Sequence, residues 1–330
     1  VIIATDSRNI WRKDYLFGSN GYKSNRSRDD IHNWDNIFKG ADALKDLFEK
    51  HGLNVANVDR CEADDITALC KEVVFEKFPD YNIVIISADA DIRQIIDFNN
   101  VTHQYCAVYN TIGKGKGGKR NLYVTKDFID WINETDQSDI FFSNLDSNKQ
   151  NIKMLLRKNQ NIQLVEEDPN AVVLHKIFCG DDGDCVPSIY EWYKNGKKVR
   201  VTMSKFLKIQ EMIGFKTVGE LIEKQSKLQE VMSKVLKKDL DDLNCIMRLN
   251  FQRKLVELNS ELFPDNIRDY KKDIEKMISK TPRFNFWNIK TDALFEGTEF
   301  ETILNVKKAK DAEVFKNLDK YLDSSMTKLW

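Results

Sequence analysis

The sequence predicts an α/β protein: a mostly parallel central sheet flanked by helices, followed by a helical C-terminal domain. Three observations carry this expectation. Short β-branched runs alternate with helical-period segments over the first hundred or so residues. The run Ile83-Val84-Ile85-Ile86 is uninterrupted, as in a parallel strand buried on both faces. From Tyr190 onward Lys, Leu and Glu recur in a mostly helical pattern.

Taken in order, Val1–Thr5 is a short apolar strand. Ile37, Phe38, Ala41, Leu44, Leu47 and Phe48 then repeat at helical spacing and stop at His51-Gly52, a C-cap signal. Leu53–Val58 is a second strand. Ile66, Leu69, Cys70, Val73, Val74 and Phe78 mark an amphipathic helix, and Asn82–Ser87 is the buried strand. From about Val101 to Asn170 the pattern degrades, so this stretch reads as an insertion. It contains a basic loop, Gly113–Arg120, and a polar segment, Asp136–Gln163, with short helical pieces. The apolar period returns at Val172, Val173, Ile177 and Phe178. The expected division is a first domain over 1–189, with its insertion at 101–170, and a helical domain over 190–330. No internal repeat is visible.

The composition excludes several classes. The 330 residues are 42% hydrophobic and 31% charged, with only 14 Gly and 5 Pro, which is globular rather than disordered. No apolar run is long enough to span a bilayer. The first residues lack a basic region and a cleavage site, so they are no signal peptide. They also lack a Met and open directly on a strand, which leads us to expect sequence upstream. The 51 basic and 52 acidic residues cancel, so any contact with nucleic acid must come from local patches. One such patch lies between Arg8 and Arg28, with six basic residues against the single acid Asp14. Six cysteines without a C-x-x-C pair and four histidines argue against zinc and for free thiols.

Carboxylates gather where the sheet should present its functional edge. Asp6 follows the first strand, and Asp89 and Asp91 follow Asn82–Ser87. Glu62, Asp64 and Asp65 open the helix that begins near Ile66, and Asp181, Asp182 and Asp184 follow the apolar run 172–178. In open α/β sheets the functional crevice lies outside the carboxyl ends of the strands. Singly, each group is ordinary capping or turn chemistry. Together, like charges this close need cations. Oxygen donors without His or Cys select hard ions, Mg²⁺ or Mn²⁺, and a cluster of this size suits a pair of them.

Glu62-Ala63-Asp64-Asp65-Ile66, Ser87-Ala88-Asp89-Ala90-Asp91 and Gly180-Asp181-Asp182-Gly183-Asp184 resemble, in order, the downstream metal motifs of the 5′-nuclease (flap endonuclease) superfamily. Asp6 with Trp11-Arg12-Lys13-Asp14 and Tyr22-Lys23-Ser24-Asn25-Arg26 resembles that family's second acidic motif and basic gateway. Asn33-Trp34-Asp35 and Phe263-Pro264-Asp265-Asn266-Ile267 bring it closest to the phage ribonuclease H branch. The family's opening strand, with its Asp, lies upstream of the position of Asp6 and has no counterpart in this sequence.

The resemblance implies a PIN-like fold and two Mg²⁺ ions, with Mn²⁺ able to substitute. Asp6, Asp64 and Asp89 match ligands of the first ion, and Glu62, Asp91, Asp181 and Asp184 the groups around the second. Lys23 and Arg26 match residues that reach the scissile phosphate, and Arg12 and Lys13 would contact backbone phosphates. A second basic stretch includes Lys194, Lys197, Lys198, Arg200, Lys205 and Lys208. There the family places a duplex-gripping helix–turn–helix element that can hold a monovalent cation, although the Gly-x-Gly hairpin of cellular relatives is missing. The implied activity is two-metal phosphodiester hydrolysis that removes RNA primers and 5′ flaps in phage DNA replication. The implied substrate is duplex DNA or an RNA/DNA hybrid with a 5′ end or flap. A single-strand-binding protein and sliding clamp would be partners of a monomer in the host cytoplasm. A catalytically impaired DNA-binding protein of the same fold and a PIN-like RNase are the rivals.

Overall fold

The computed structural model describes residues 1–16, 21–26, 34–50, 52–110, 112, 120–133 and 162–280, without the side chains of 242 and 243. Arg28, Asn33, His51, the basic loop 113–119, most of the polar segment 136–163 and all of 281–330 lie outside them. Each of the first strands is short because polar or turn residues bracket a few β-branched ones. β1 (Ile2–Ala4) pairs in parallel with β2 (Asn54–Ala56), and α1 (Trp34–Lys50) connects them. α2 (Ala63–Lys77) leads to β3 (Ile83–Ile86) and packs on both β1 and β3.

The second sheet has five strands. β3 runs parallel to β5 (Tyr105–Asn110), β5 antiparallel to β6 (Arg120–Val124), and β6 parallel to β7 (Ile162–Glu166). β4 (Asp97–Phe98) adds a short antiparallel rung to β5. Part of the expected insertion 101–170 is therefore sheet. α3 (Lys126–Asn133) packs Phe128, Trp131 and Ile132 over Phe98, Leu122 and Val124 in a satellite core.

One other expectation changes. β3 is not buried on both faces: Val84 is 49% and Ile86 72% exposed, because no core cluster among the described residues covers that side. The apolar run 172–178 forms α4 (Pro169–Cys179), capped by Asp168, whose side chain accepts from the Asn170 amide. A short apolar run cannot by its period separate buried helix from buried strand; here Pro at the first helical position and the Asp cap decide for helix.

After α4 a hairpin forms from β8 (Glu191–Lys194) and β9 (Lys197–Arg200). Helices follow: α5 (Met203–Ile213), α6 (Val218–Glu223), α7 (Leu228–Leu236), α8 (Asp242–Val256), α9 (Asp265–Arg268) and α10 (Lys271–Ser279). α5 and α6 flank a short turn through Gly214, at φ 76°, which makes a helix–turn–helix. The cores do not divide at residue 190. One cluster joins Leu174, Ile177 and Phe178 of α4 to Phe206, Ile209, Leu221 and Met232. The other joins Ile66, Leu69 and Val73 of α2 to Phe263, Ile267 and Ile274. No described helix is long and apolar enough to cross a membrane.

The two packing environments give a contrast. Phe178 is fully buried and stacks on Phe215 with ring centroids 5.9 Å apart, so Phe178→Ala is expected to cost about 3–5 kcal/mol. Ile86→Ala should stay within about 0.5 kcal/mol. Urea unfolding of both variants checks this, and a loss at Ile86 comparable to that at Phe178 would mean its face is covered.

Candidate metal centre

The acidic site grows from three chain segments. The first is the N-terminus of α2. Glu62 is its N-cap, in a reciprocal capping box with Asp65, which fixes both side chains before any distant partner acts. Asp64 follows in the first turn. The second is the turn after β3, where the Asp89 carboxylate accepts the Asp91 amide at 2.9 Å and turns Asp91 inward. The third is the loop after α4. Asp181 and Val186 exchange backbone hydrogen bonds of 2.9 and 2.8 Å, closing a tight loop that holds Asp181 and Asp184. Gly180 permits it: its φ is +78°, and a Cβ there would lie 2.5 Å from the Val186 carbonyl oxygen.

One cleft is lined by Glu62, Asp64, Asp91, Asp181 and Asp184, with Tyr22 and Lys176 beside them. Asp91, Asp181 and Asp184 each offer a carboxylate oxygen within 4.8 Å of the others. Asp89 is exposed but close enough to Asp64 to act on it electrostatically. Asp6 and Asp89 are not among the lining residues; Asp6 accepts the Ala63 amide at 2.8 Å, at the start of α2. Burial, then Asp89 and Glu62, push the Asp64 carboxyl up to about 7. Burial also raises Asp91, against the opposing pull of Lys176. At Asp181 burial is outweighed by Lys176 and the Gly183 amide, which hold the carboxyl below its ordinary value.

Cations are interleaved with these acids. Lys23 contacts Glu62 and lies 3.7 Å from Asp184, and Arg26 reaches Asp184 at 2.5 Å. The two are not presented by a helix. Lys23 has φ 57°, its amide donates to the Asp184 carbonyl at 2.9 Å, and the segment is a turn. Arg12 departs from expectation: it is 2% exposed, 2.7 Å from both Glu62 and Asp65, and its guanidinium lies 4.5 Å from the Trp11 ring. It lines the floor of the cleft rather than its surface, committed to these two acids, which keep it charged despite burial. Lys13 beside it is exposed. Of the second basic stretch, Lys197, Lys198 and Arg200 lie on β9, and Lys205 lies on α5.

Sequence reasoning missed two members of the cleft. Lys176 contacts Asp91 and lies 2.5 Å from Asp181; its signal was a lysine inside the apolar run of α4. Tyr22 places its hydroxyl 3.3 Å from both Glu62 and Asp184. The donor set suits a hard divalent cation, since the three gathered groups are all carboxylates.

Residues 1–123 match the family model of the 5'-3' exonuclease N-terminal resolvase-like domain. No curated protein matches the chain in sequence. Among solved structures, a bacteriophage T5 protein co-crystallised with metal ions is 16% identical, over 84% of this chain and 83% of that one, at a TM-score of 0.45. A T5 flap endonuclease in a pseudo-enzyme–product complex with DNA and metal ions is 15% identical over 84% of each chain, at 0.45. A T5 5'-exonuclease with zinc bound is 16% identical, over 84% of this chain and 83% of that one, at 0.43.

Arg12→Met should destabilise the fold by about 3–5 kcal/mol, because it leaves Asp65 buried without its cation and Glu62 with Lys23 alone. Thermal unfolding checks this, and a near-neutral result would mean the arginine is dispensable. Carbon-detected NMR should find the Asp64 carboxyl titrating near about 7 in metal-free protein. With its folded value above the unfolded one, Asp64 removes stability as pH rises from about 4 towards 7. A midpoint close to that of a free aspartate would show the group well solvated.

Proposed function

We propose that this chain, whose residues 1–123 match the 5'-3' exonuclease N-terminal resolvase-like domain, belongs to the 5′-nuclease superfamily and is a metal-dependent 5′→3′ exonuclease or flap endonuclease. The observation that carries the reading is the convergence of Asp91, Asp181 and Asp184, from segments far apart in sequence, within 4.8 Å of one another. Together with Asp6, Glu62, Asp64 and Asp89 they would hold two Mg²⁺ ions, or Mn²⁺ in their place. Such ions supply an activated water and neutralise charge on the phosphate and the leaving oxygen.

The chain's own cations would do the rest. Lys23 and Arg26 stand beside Asp184, where the first can meet a non-bridging phosphate oxygen while the second holds the loop. Tyr22 restrains Glu62 and Asp184 from beneath. Lys176 neutralises Asp91 and Asp181 in the absence of a divalent ion and would have to yield to one. Lys13, Lys197, Lys198, Arg200 and Lys205 are the candidate contacts to a duplex backbone, which position a substrate without reading its sequence. A monovalent cation at the α5–α6 turn belongs to the same reading.

The substrate would be duplex DNA or an RNA/DNA hybrid with a 5′ end or flap. The role would be primer removal by a monomer during phage replication in the host cytoplasm, beside a single-strand-binding protein and a sliding clamp. A second reading, duplex binding without cleavage, draws on Lys176, a resident counter-ion between two of the acids.

Two measurements test the proposal. Millimolar Mg²⁺ should raise the unfolding midpoint by a few degrees, corresponding to about 1–2 kcal/mol, since the ions relieve repulsion only in the folded state. An unchanged midpoint would count against a metal centre. On a 5′-labelled flap with Mg²⁺, Asp91→Asn should depress cleavage by orders of magnitude while duplex binding persists. Lys23→Ala should slow cleavage with metal affinity little changed. Equal cleavage by wild type and Asp91→Asn would remove the two-metal mechanism, and cleavage by neither would favour the binding protein.

A further inference from the structure

The β8–β9 hairpin is a two-stranded sheet on its own, with no third strand among the described residues. Its turn is Asn195-Gly196, both residues at positive φ (52° and 73°), the two-residue turn whose twist matches its strands. Isolated hairpins are marginal in water, so something must hold this one. Its base is pinned at three points. The Ser188 hydroxyl accepts the Val201 amide at 3.1 Å and donates to the Phe178 carbonyl at 2.8 Å. Trp192 packs on the main core, with the Lys205 and Lys238 ammoniums 5.0 and 4.6 Å from its ring. Arg200 pairs with Asp182 at 2.6 Å.

The outer half is built differently. Tyr193 is 75% exposed, and Lys194, Asn195, Gly196, Lys197 and Lys198 are exposed with it. Tyr193 lies directly opposite Lys198, and Lys194 opposite Lys197. Like charges facing each other across a ladder destabilise it, so folding alone does not account for Lys194 and Lys197. An aromatic ring among lysines at the tip of a braced ribbon suits a polyanion with a flat or furanose surface. The bracing also sets direction. Asp182 lies in the loop that holds Asp181 and Asp184, so the Arg200–Asp182 pair ties the ribbon to the acidic cleft.

We infer that the β8–β9 hairpin is a duplex-gripping ribbon: its tip enters a groove of the nucleic acid, Lys194 and Lys197 hold phosphates across that groove, and Tyr193 packs on sugar or base edges. The inference rests on the nuclease reading above and adds to it the hairpin as the gripping element, its approach to a groove, and Tyr193. A two-stranded ribbon fits the major groove, and four residues per arm extend roughly 13 Å, about four base pairs. The ribbon would set how far from the cleft the duplex is held.

The test is fluorescence anisotropy of a labelled duplex carrying a 5′ flap, in EDTA so that nothing is cut, over a range of salt. Lys194→Ala with Lys197→Ala should weaken binding at least tenfold at low salt and lower the slope of log K against log salt by about 1.8, two phosphate contacts at about 0.9 each. Tyr193→Ala should weaken binding severalfold with the slope unchanged. Lys194→Arg with Lys197→Arg should restore both quantities, which separates a charge effect from a folding defect. Salt-dependent binding by wild type that the alanine pair leaves unaltered overturns the hairpin inference and leaves the nuclease reading standing. No duplex binding by wild type removes both.

Discussion

The Arg12 guanidinium is the charge on which the acidic cleft is built. It is held between Glu62 and Asp65, under Trp11 and against Phe263, where water cannot reach it. Without it, Asp65 would be a buried carboxylate with only the Trp11 indole N–H and the helix dipole, and Glu62 would keep Lys23 alone, which together fall short of the cost of an unpaired buried charge. With it, Glu62 stays ionised despite burial and can in turn hold Lys23 and Tyr22. The order of dependence runs outward. A sealed arginine fixes one acid, that acid fixes a lysine and a phenol, and these meet Asp184 from a segment more than a hundred residues away.

The cleft is thus a lattice of alternating charge rather than a pool of negative charge. Lys176 does for Asp91 and Asp181 what Lys23 does for Glu62. At Asp64 the pull of Lys23 is outweighed by burial, Asp89 and Glu62, and its carboxyl takes the largest upward shift among the clustered acids. An incoming divalent ion therefore meets two different conditions. Near Asp64 it would replace a proton, and near Asp91 and Asp181 it would replace an ammonium. The donor chemistry is the same at both positions, but the species displaced differs.

Much of this was legible in the residues, and the failures have physical causes. β-branched runs fixed β1, β2 and β3 to within two residues, and Glu62, Asp64, Asp91, Asp181 and Asp184 of the acidic motifs line one cleft, without Asp6 and Asp89. The strands β5 to β7 escaped notice because Tyr105, Asn110, Arg120 and Gln163 interrupt the apolar alternation, and pairing between strands restores what local pattern lacks. α4 was indistinct because its length suits either period. Arg12 read as a surface cation because nothing local announces burial; its partners Glu62 and Asp65 are fifty residues on. The division at 190 looked clean in composition, yet Phe263, Ile267 and Ile274 complete the core around α2. Long-range closure of this kind leaves no periodic trace.

That closure also orders events in time. As the chain is synthesised, α2 emerges with Ile66, Leu69 and Val73 lacking their far-side neighbours, which follow only with Phe263, Ile267 and Ile274. Contacts of such sequence separation form late and slowly, because a long loop must close before they repay it. Until then the acid-bearing end of α2 rests on half a core while its apolar side stays open to water or to a chaperone. The last described helices to leave the ribosome are thus the ones that make the first motif rigid, and assembly of the cleft follows completion of nearly the whole described chain.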